Sequence, residues 1–485
     1  MRATTVVVGC LVVVLGLTHF SWADDPKPAA ADQPRFKIAK ETTYVTGPVR
    51  PDGTIDYVEA INERLSKGVT KENNAAILML EAVTDIPAPA GHYERVWQKL
   101  GLPVPQTANN VPVPQADPPG MDDALKHPWV AEKHPEVAHY LEPLEGRLNL
   151  MVEASQRDHY YMPLVREHDT DPLVSVLLPH LSSQRHLVNA LKARAMLRLG
   201  DEDIDAFCRD AVAIVRLGRL MTHAPTLIEN LVGAACEANG LDAINTAATG
   251  GWLPEAQIDH LLKELRAAPA PRQFYDVFEG GERGFLLEFL QTAAVHGVAE
   301  AQKALEPMRD KTILPPVDSA AKDWNAAMVK ANGWYDRLAD AGKQPTHAAR
   351  MKATNAVLHD LDALKSKYAG WKSAFAPVED RLIILVVPSM ERAYTVETRA
   401  AVQRELTETA LALAAFHIKM GEYPPELRLL APAYFKSEPI DGFTDKPLTY
   451  RTEGKGYTLM SVGPDGQVGK QGAKAADDLT IEAMQ

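Results

Sequence analysis

A mainly α-helical protein that ends in a small α+β unit is what the sequence predicts, and three observations carry this. Between Leu181 and about Ala376, apolar residues recur at helical spacing almost throughout, with glycine and proline at the joints. From Val402 to Met420, the residues Val402, Leu406, Thr409, Leu413, Phe416 and Met420 step by four and three, which turns one stripe of a helix toward a partner. After Gly421, Pro424 and Pro425 the helical period gives way to short strand-like runs and a glycine-rich end.

Met1 to Ala23 reads as a Sec-type secretory signal peptide. Arg2 supplies the positive end, Val6 to Leu17 is an apolar run too short to span a bilayer, and Ser21-Trp22-Ala23 places small residues at a cleavage site. The mature chain is expected to begin at Asp24 and to be periplasmic or extracellular. Val7-Val8-Gly9-Cys10 has the outline of a lipobox, but the apolar run continues past Cys10, so lipoprotein anchoring is not expected. Losing Arg2 with the signal leaves 50 basic residues against 64 acidic ones, and the net charge of −13 becomes −14. That balance argues against nucleic acid as a partner and against an anionic membrane surface. At 485 residues and 46% hydrophobic content the chain can bury a large core, and its length fits two or three domains. Three cysteines, two after export, are far from a disulfide-rich scaffold.

Residues 24–40 are expected to be a disordered tether, rich at first in Ala, Pro and Asp. Residues 41–100 read as an N-terminal helical hairpin region. Pro51-Asp52-Gly53 marks a turn, Ile55, Val58, Ile61 and Leu65 follow at helical spacing, Gly68 is a stop, and Thr70 is placed to cap a second helix over Ala75 to Val83. Residues 101–120, GLPVPQTANNVPVPQADPPG, form a Pro-rich linker whose prolines forbid helix interior.

A helical domain is expected over 121–376. Its first part holds His127, His134, His139, His159, Glu167, His168, Asp169 and Asp171, without persuasive spacing. His134 and His139 are five apart, so they point about 140° away from each other around a helix and not to one metal ion. Arg166 to Pro172 carries oxygen donors but lacks the glycine and distal glutamate of an EF-hand loop, and reads as a polar turn. Four helices follow, with breaks near Gly200, Thr222 and Gly251 and alanine-rich faces suited to close packing. A second group covers Phe274 to Leu305, Ser319 to Asp340 and Thr346 to Tyr368. Hairpins in a solenoid-like stack are the expected architecture, although no 34-residue repeat is present. Trp324, Trp334, Tyr335 and Trp371 read as core and groove packing. Cys208 and Cys236 sit nearly equidistant from the turn at Thr222. Packed helices lie about 8 to 10 Å apart, too far for a disulfide's Cα atoms, so two buried reduced thiols are expected. No nucleophile elbow, P-loop, dinucleotide fingerprint, C-x-x-C or H-E-x-x-H motif is present.

In the last stretch, 377–485, LVVPSM from Leu385, GEYP at the helix exit from Gly421, KPLTY from Lys446 and SVGPDG from Ser461 resemble the major pseudopilin (protein G) family of bacterial type II secretion. The resemblance implies an α+β domain with a long helix and a small antiparallel sheet. It departs from the family in two ways. Leu382 to Val387 is internal and far too short to span a membrane, so a processed, fibre-forming pseudopilin is not expected. Asp441-Gly442-Phe443 also stands where the family commonly has Asp-Pro before an aromatic. The family binds calcium in its C-terminal loop. Carried over, this makes Asp465 the first carboxylate, Asp477 and Asp478 the following pair, and the carbonyl of Val462 a further ligand. Residues 467–476 lengthen that interval and bring in Lys470 and Lys474, so an exposed turn and tail stand as the other reading.

The expectation is an exported, non-catalytic structural or interaction protein of the cell envelope, with protein partners and no transmembrane span in the mature chain. An exported hydrolase with a site between helices, around His159 to Asp171, and a periplasmic ligand-binding protein are the alternatives.

Overall fold

The computed structural model describes residues 36–83, 91–105, 116–169, 171–176, 178–303, 323–369, 376–386, 388–469 and 478–483. The expected signal peptide, most of the expected tether, the middle of the Pro-rich stretch and Asp477 lie outside the described residues. The chain is mainly helical, with two small antiparallel sheets near its C-terminus.

Two short helices open it, α1 (Tyr57–Leu65) and α2 (Ala75–Glu81). Asp56 caps α1 by accepting from the Glu59 amide at 3.0 Å. The cap of α2 is Asn74, which accepts from the Ala76 amide at 3.1 Å, whereas Thr70 bonds with Asn73 in the preceding turn. The expected hairpin therefore has its second cap four residues later, because an Asn so placed can bond two residues onward in an extended conformation. Four more short helices follow: α3 (His92–Lys99), α4 (Met121–Ala124), α5 (Pro135–Leu141) and α6 (Glu145–Ala154).

Long helices begin with α7 (His180–Gly200), α8 (Ile204–Met221), α9 (Leu227–Thr249) and α10 (Glu255–Ala267), with breaks where Gly200, Thr222 and Gly251 were read as joints. The α8 and α9 backbones touch. A Cβ built on Gly218 would lie 2.3 Å from the Glu237 nitrogen, and one on Gly240 would lie 2.9 Å from the Val215 nitrogen. Only glycine permits that approach, and the neighbouring α7–α8 interface holds buried charge. Asp210 of α8, with no exposed surface, accepts from Arg194 Nε and Nη2 at 2.9 and 3.0 Å and from Arg198 Nη1 at 2.6 Å. Cys208 and Cys236 are both free and buried, as expected, and burial pushes each thiol up to about 12.

The second group contains α11 (Phe274–Val277), a π-helical turn over Phe278–Glu282, α12 (Arg283–His296), α13 (Val298–Lys303), α14 (Trp324–Gly342), α15 (His347–Lys367) and α16 (Val378–Val386). The helix expected over Phe274 to Leu305 is thus interrupted twice, by the π turn and at Gly297, whose φ of 95° ends α12. Glu288 of α12 joins this group to the N-terminal segments. Buried, it accepts from Arg50 Nη2 at 2.8 Å, from Arg166 Nη2 at 3.2 Å and from the Leu173 amide. Burial raises its carboxyl above the usual range despite both guanidiniums.

The last helix, α17 (Pro388–Met420), ends as expected at Gly421, with φ 80°. It carries more than one buried stripe. Val402, Leu406, Ala410 and Leu413 face a core shared with the sheet, Leu411 and Ala415 enter the α7–α10 core, and Ala393 and Tyr394 enter the α11–α16 core. Met420, expected on the buried stripe, is 64% exposed because the helix has by then left the body. β1 (Ile440–Asp441) pairs with β2 (Lys446–Pro447), and β3 (Thr449–Glu453), β4 (Gly456–Ser461) and β5 (Leu479–Ala483) form an antiparallel sheet in that order. Leu479, Ile481 and Ala483 alternate inward, toward α17. Among the described residues no helix is long and apolar enough to cross a membrane.

Candidate functional site

The C-terminal loop leaves β4 at Ser461 and turns through Gly463 and Gly466, both at positive φ. Asp465 is exposed, and its Oδ1 accepts from the Gln467 amide at 2.8 Å. Asp478 lies at the far end of the loop, with Oδ2 accepting from the Gly469 amide at 2.9 Å and Oδ1 buried without a hydrogen-bond partner among the described residues. The Val462 amide donates to Asp441 Oδ2 at 3.0 Å, and the Phe443 amide donates to Oδ1 at 2.9 Å. Asp441, 2% exposed, thus ties this loop to the Asp441-Gly442-Phe443 turn. Sequence reasoning gave it no role, although an Asp-Gly pair is a turn signal. Among the described residues no group of three His, Cys, Asp or Glu side chains could hold a metal ion.

The histidine-rich region scatters. His134 Nε2 lies 3.0 Å from Asp123 Oδ2, His127 is 3.9 Å from the same carboxylate, and His139 pairs at the surface with Glu142 at 3.4 Å. The expected polar turn before Pro172 is present: the His168 amide donates to Asp171 Oδ2 at 2.8 Å, and the Asp171 amide donates to the His168 carbonyl at 2.9 Å. Glu167 and Asp169 are exposed.

Beside that region, polar side chains gather inside the protein. Two asparagines each bond both backbone groups of one residue in the extended stretch after His159. Asn74 donates to the Tyr161 carbonyl and accepts from its amide, both at 2.9 Å, and Asn62 does the same for Leu164 at 2.8 and 2.9 Å. This seats Tyr160 in the interior, 5% exposed. On α7, His180, Ser183 and Gln184 share one face by their three- and four-residue spacing. From the first turn of α9 comes Glu229, whose Oε2 accepts from the Thr226 amide and hydroxyl at 3.2 and 2.7 Å in a capping box. His180 Nε2 stands 3.8 Å from Glu229 Oε1. None of these α7 and α9 side chains is more than 3% exposed. Among the described residues, Tyr160 OH, His180 Nε2, Ser183 Oγ, both Gln184 amide atoms and Glu229 Oε1 have no partner within hydrogen-bonding geometry, although the Gln184 side chain is the polar group nearest in effect to the phenol.

Burial first, and then the Glu229 charge, raises the Tyr160 phenol well above its usual range. Burial, and then the neighbouring His180 and Arg95 side chains, push the nearby His92 imidazole down to about 4. An imidazole, a carboxylate, a phenol and a hydroxyl are groups that acid–base chemistry uses, but here they are enclosed. A separate cavity lined by Pro172, Val174, Phe285, Glu288 and Thr292 has a volume of about 10 Å³, room for one water. The exposed end of α17 has a different character: Ile418, Met420 and, after the turn, Leu429 are 47%, 64% and 47% exposed.

The fold and these clusters define a mainly helical protein with a small C-terminal α+β unit. No family model, no curated protein and no solved structure matches the chain.

The buried cluster generates a direct expectation. Tyr160→Phe removes a hydroxyl that meets no partner in hydrogen-bonding geometry among the described residues, so stability measured by urea unfolding should hold or rise by up to about 1 kcal/mol. A loss of that size instead would show that the phenol is bonded inside the native protein.

Proposed function

We propose that this is an exported, non-catalytic interaction protein of the cell envelope, in which solenoid-like stacked helices present a pseudopilin-like C-terminal unit to protein partners. The observation that carries the reading is the course of α17. It runs without a break from the second helical group to the sheet, and charged pairs fasten it along its length. Glu397 pairs with Arg350 at 2.6 Å, Arg404 with Glu237 at 3.0 Å, Glu408 with Arg266 at 2.8 Å and Lys419 with Glu255 at 2.8 Å. A unit mounted this way keeps its orientation, which suits presentation to a partner, and Ile418, Met420 and Leu429 offer it apolar contact. The signal-like N-terminus supports a periplasmic or extracellular location. The hydrolase reading draws on the His180, Glu229 and Tyr160 cluster and requires a route from the surface to it.

In cells, the mature chain should begin at Asp24 and fractionate outside the cytoplasm. A photo-crosslinker at position 420 or 429 should give discrete protein adducts, and one at the exposed position 352 should give none. A chain that retains Met1 in the cytosol contradicts export, and equal adducts at all three positions contradict a partner surface at the α17 end.

Calcium belongs to the same reading. Asp465, Asp477, Asp478 and the Val462 carbonyl are proposed as ligands by the resemblance, and the buried, unpartnered Oδ1 of Asp478 supports it. Millimolar calcium should raise the thermal midpoint by about 2 °C or more over chelator, and Asp465→Asn and Asp478→Asn should each abolish the rise. No rise in the parent protein removes calcium from the reading.

A further inference from the structure

Two arginines far apart in sequence meet where α1, the segment before α11 and the π-helical turn come together. Arg64, in the last turn of α1, lies against the backbone of Gly280: a Cβ built there would fall 2.0 Å from Arg64 Nη2 and 2.7 Å from Cζ. Only glycine leaves the guanidinium that seat, and the π turn supplies the glycine. π-Helical turns occur often at functional sites, since they re-aim a helix at a local cost. Arg272 reaches the same stretch of chain through the carbonyl of Asp276, four residues before Gly280. Its guanidinium bonds only to carbonyls: those of His223 and Ala224 at 3.4 Å each and that of Asp276 at 3.1 Å. Its amide is fixed by the Thr222 hydroxyl at 3.0 Å. Burial, and next the charge of Arg64, push the Arg272 guanidinium down to about 10, so the two cations repel each other at close range.

Neither arginine has a carboxylate within ion-pairing distance, and Arg64 makes no hydrogen bond among the described residues. The nearby charged groups do not cancel the pair. Glu279 is engaged by Lys343 at 2.9 Å, which leaves Asp276 as the remaining carboxylate against two guanidiniums. His223 and His159 lie near Arg272 and add no negative charge. In a chain of net charge −13, an excess of positive charge at one place, with Arg64 exposed and Arg272 half-buried, is against the trend. Arginine forks match the paired oxygens of phosphate and similar oxyanions, and they do so best where the guanidinium is oriented before binding.

We propose that Arg64 and Arg272 form a binding site for a tetrahedral oxyanion, a phosphate group either free or at the end of a larger molecule. Arg64 supplies the open fork, seated against the Gly280 backbone, and Arg272 supplies the second charge, held by three backbone carbonyls. The site is separate from the C-terminal calcium loop and from the α17 end, and does not depend on the interaction reading.

The mature protein is melted in sodium chloride and in 20 mM inorganic phosphate at matched ionic strength and pH, with sodium acetate as the control for a plain carboxylate. Phosphate should raise the midpoint by about 2 °C or more over both. Arg64→Gln should melt within about 1 °C of the parent in chloride, because no internal bond is lost, and should show no phosphate-dependent rise. Calorimetric titration with phosphate should give one site in the parent and none in the variant. Titration with glycerol 3-phosphate in place of phosphate separates a free ion from an esterified one: tighter binding of the ester points to the larger molecule, and equal or weaker binding to the ion. An equal rise in the parent and Arg64→Gln, or no rise over chloride, overturns the proposal.

Discussion

A single helix of 33 residues, about 50 Å long, supplies side chains to all three hydrophobic cores. Tyr394 enters the second helical group and bonds the Leu338 carbonyl at 2.6 Å in a niche left by Gly342. Leu411 and Ala415 enter the α7–α10 core, and Val402, Leu406 and Leu413 close the sheet. The pivot of this arrangement is Glu237 of α9. It is 1% exposed and accepts from Arg219 Nε at 2.7 Å and from Arg404 Nη1 at 3.0 and 3.1 Å. A buried carboxylate left with one partner removed typically costs about 3 to 5 kcal/mol, so the pair of guanidiniums fixes where α17 can lie on α9. The glycines of the α8–α9 seam are part of the same constraint, since they set the helix spacing at which Arg219 reaches Glu237.

Local features were legible in the sequence, and long-range ones were not. Gly200, Thr222 and Gly251 mark real helix breaks, and Gly421 ends α17, because glycine and cap residues act on the chain around them. The reading of α17 as a helix with one buried stripe found Val402, Leu406 and Leu413 but missed the second face. Leu411 and Ala415 make that second face, and Ala410 and Ala412 widen the first; the alanines carry little periodic signal, and only the packing shows that they too are buried. The Asn74 cap and the π turn each sit in tertiary contacts, Asn74 with Tyr161 and the π-turn glycines with Arg64 and Pro225. Arg404 and Glu237 are 167 residues apart, and no spacing rule connects them.

The candidate sites divide along the same line. Asp465 and Asp478 were singled out by the resemblance, and the structure places each on a loop amide, while Asp441, which joins the loop to the neighbouring turn, was given no role. The buried group around Tyr160 and Glu229 is assembled from an extended segment and two helix N-termini. It lies next to the histidine-rich stretch that drew attention in the sequence, yet none of the exposed histidines of that stretch belongs to it. Likewise Arg64 and Arg272 gain their significance only from Gly280, which brings a backbone wall against one of them.

If α17 makes the three cores one cooperative structure, the C-terminal sheet should not open by itself. Native-state hydrogen exchange across a denaturant series tests this directly, by comparing the amides of β4 with those of α8 and α9. The account predicts that the most protected amides of all three elements converge on one opening free energy and one denaturant dependence. A sheet that opens at low denaturant, with a small dependence of its own while α8 and α9 stay protected, would contradict it.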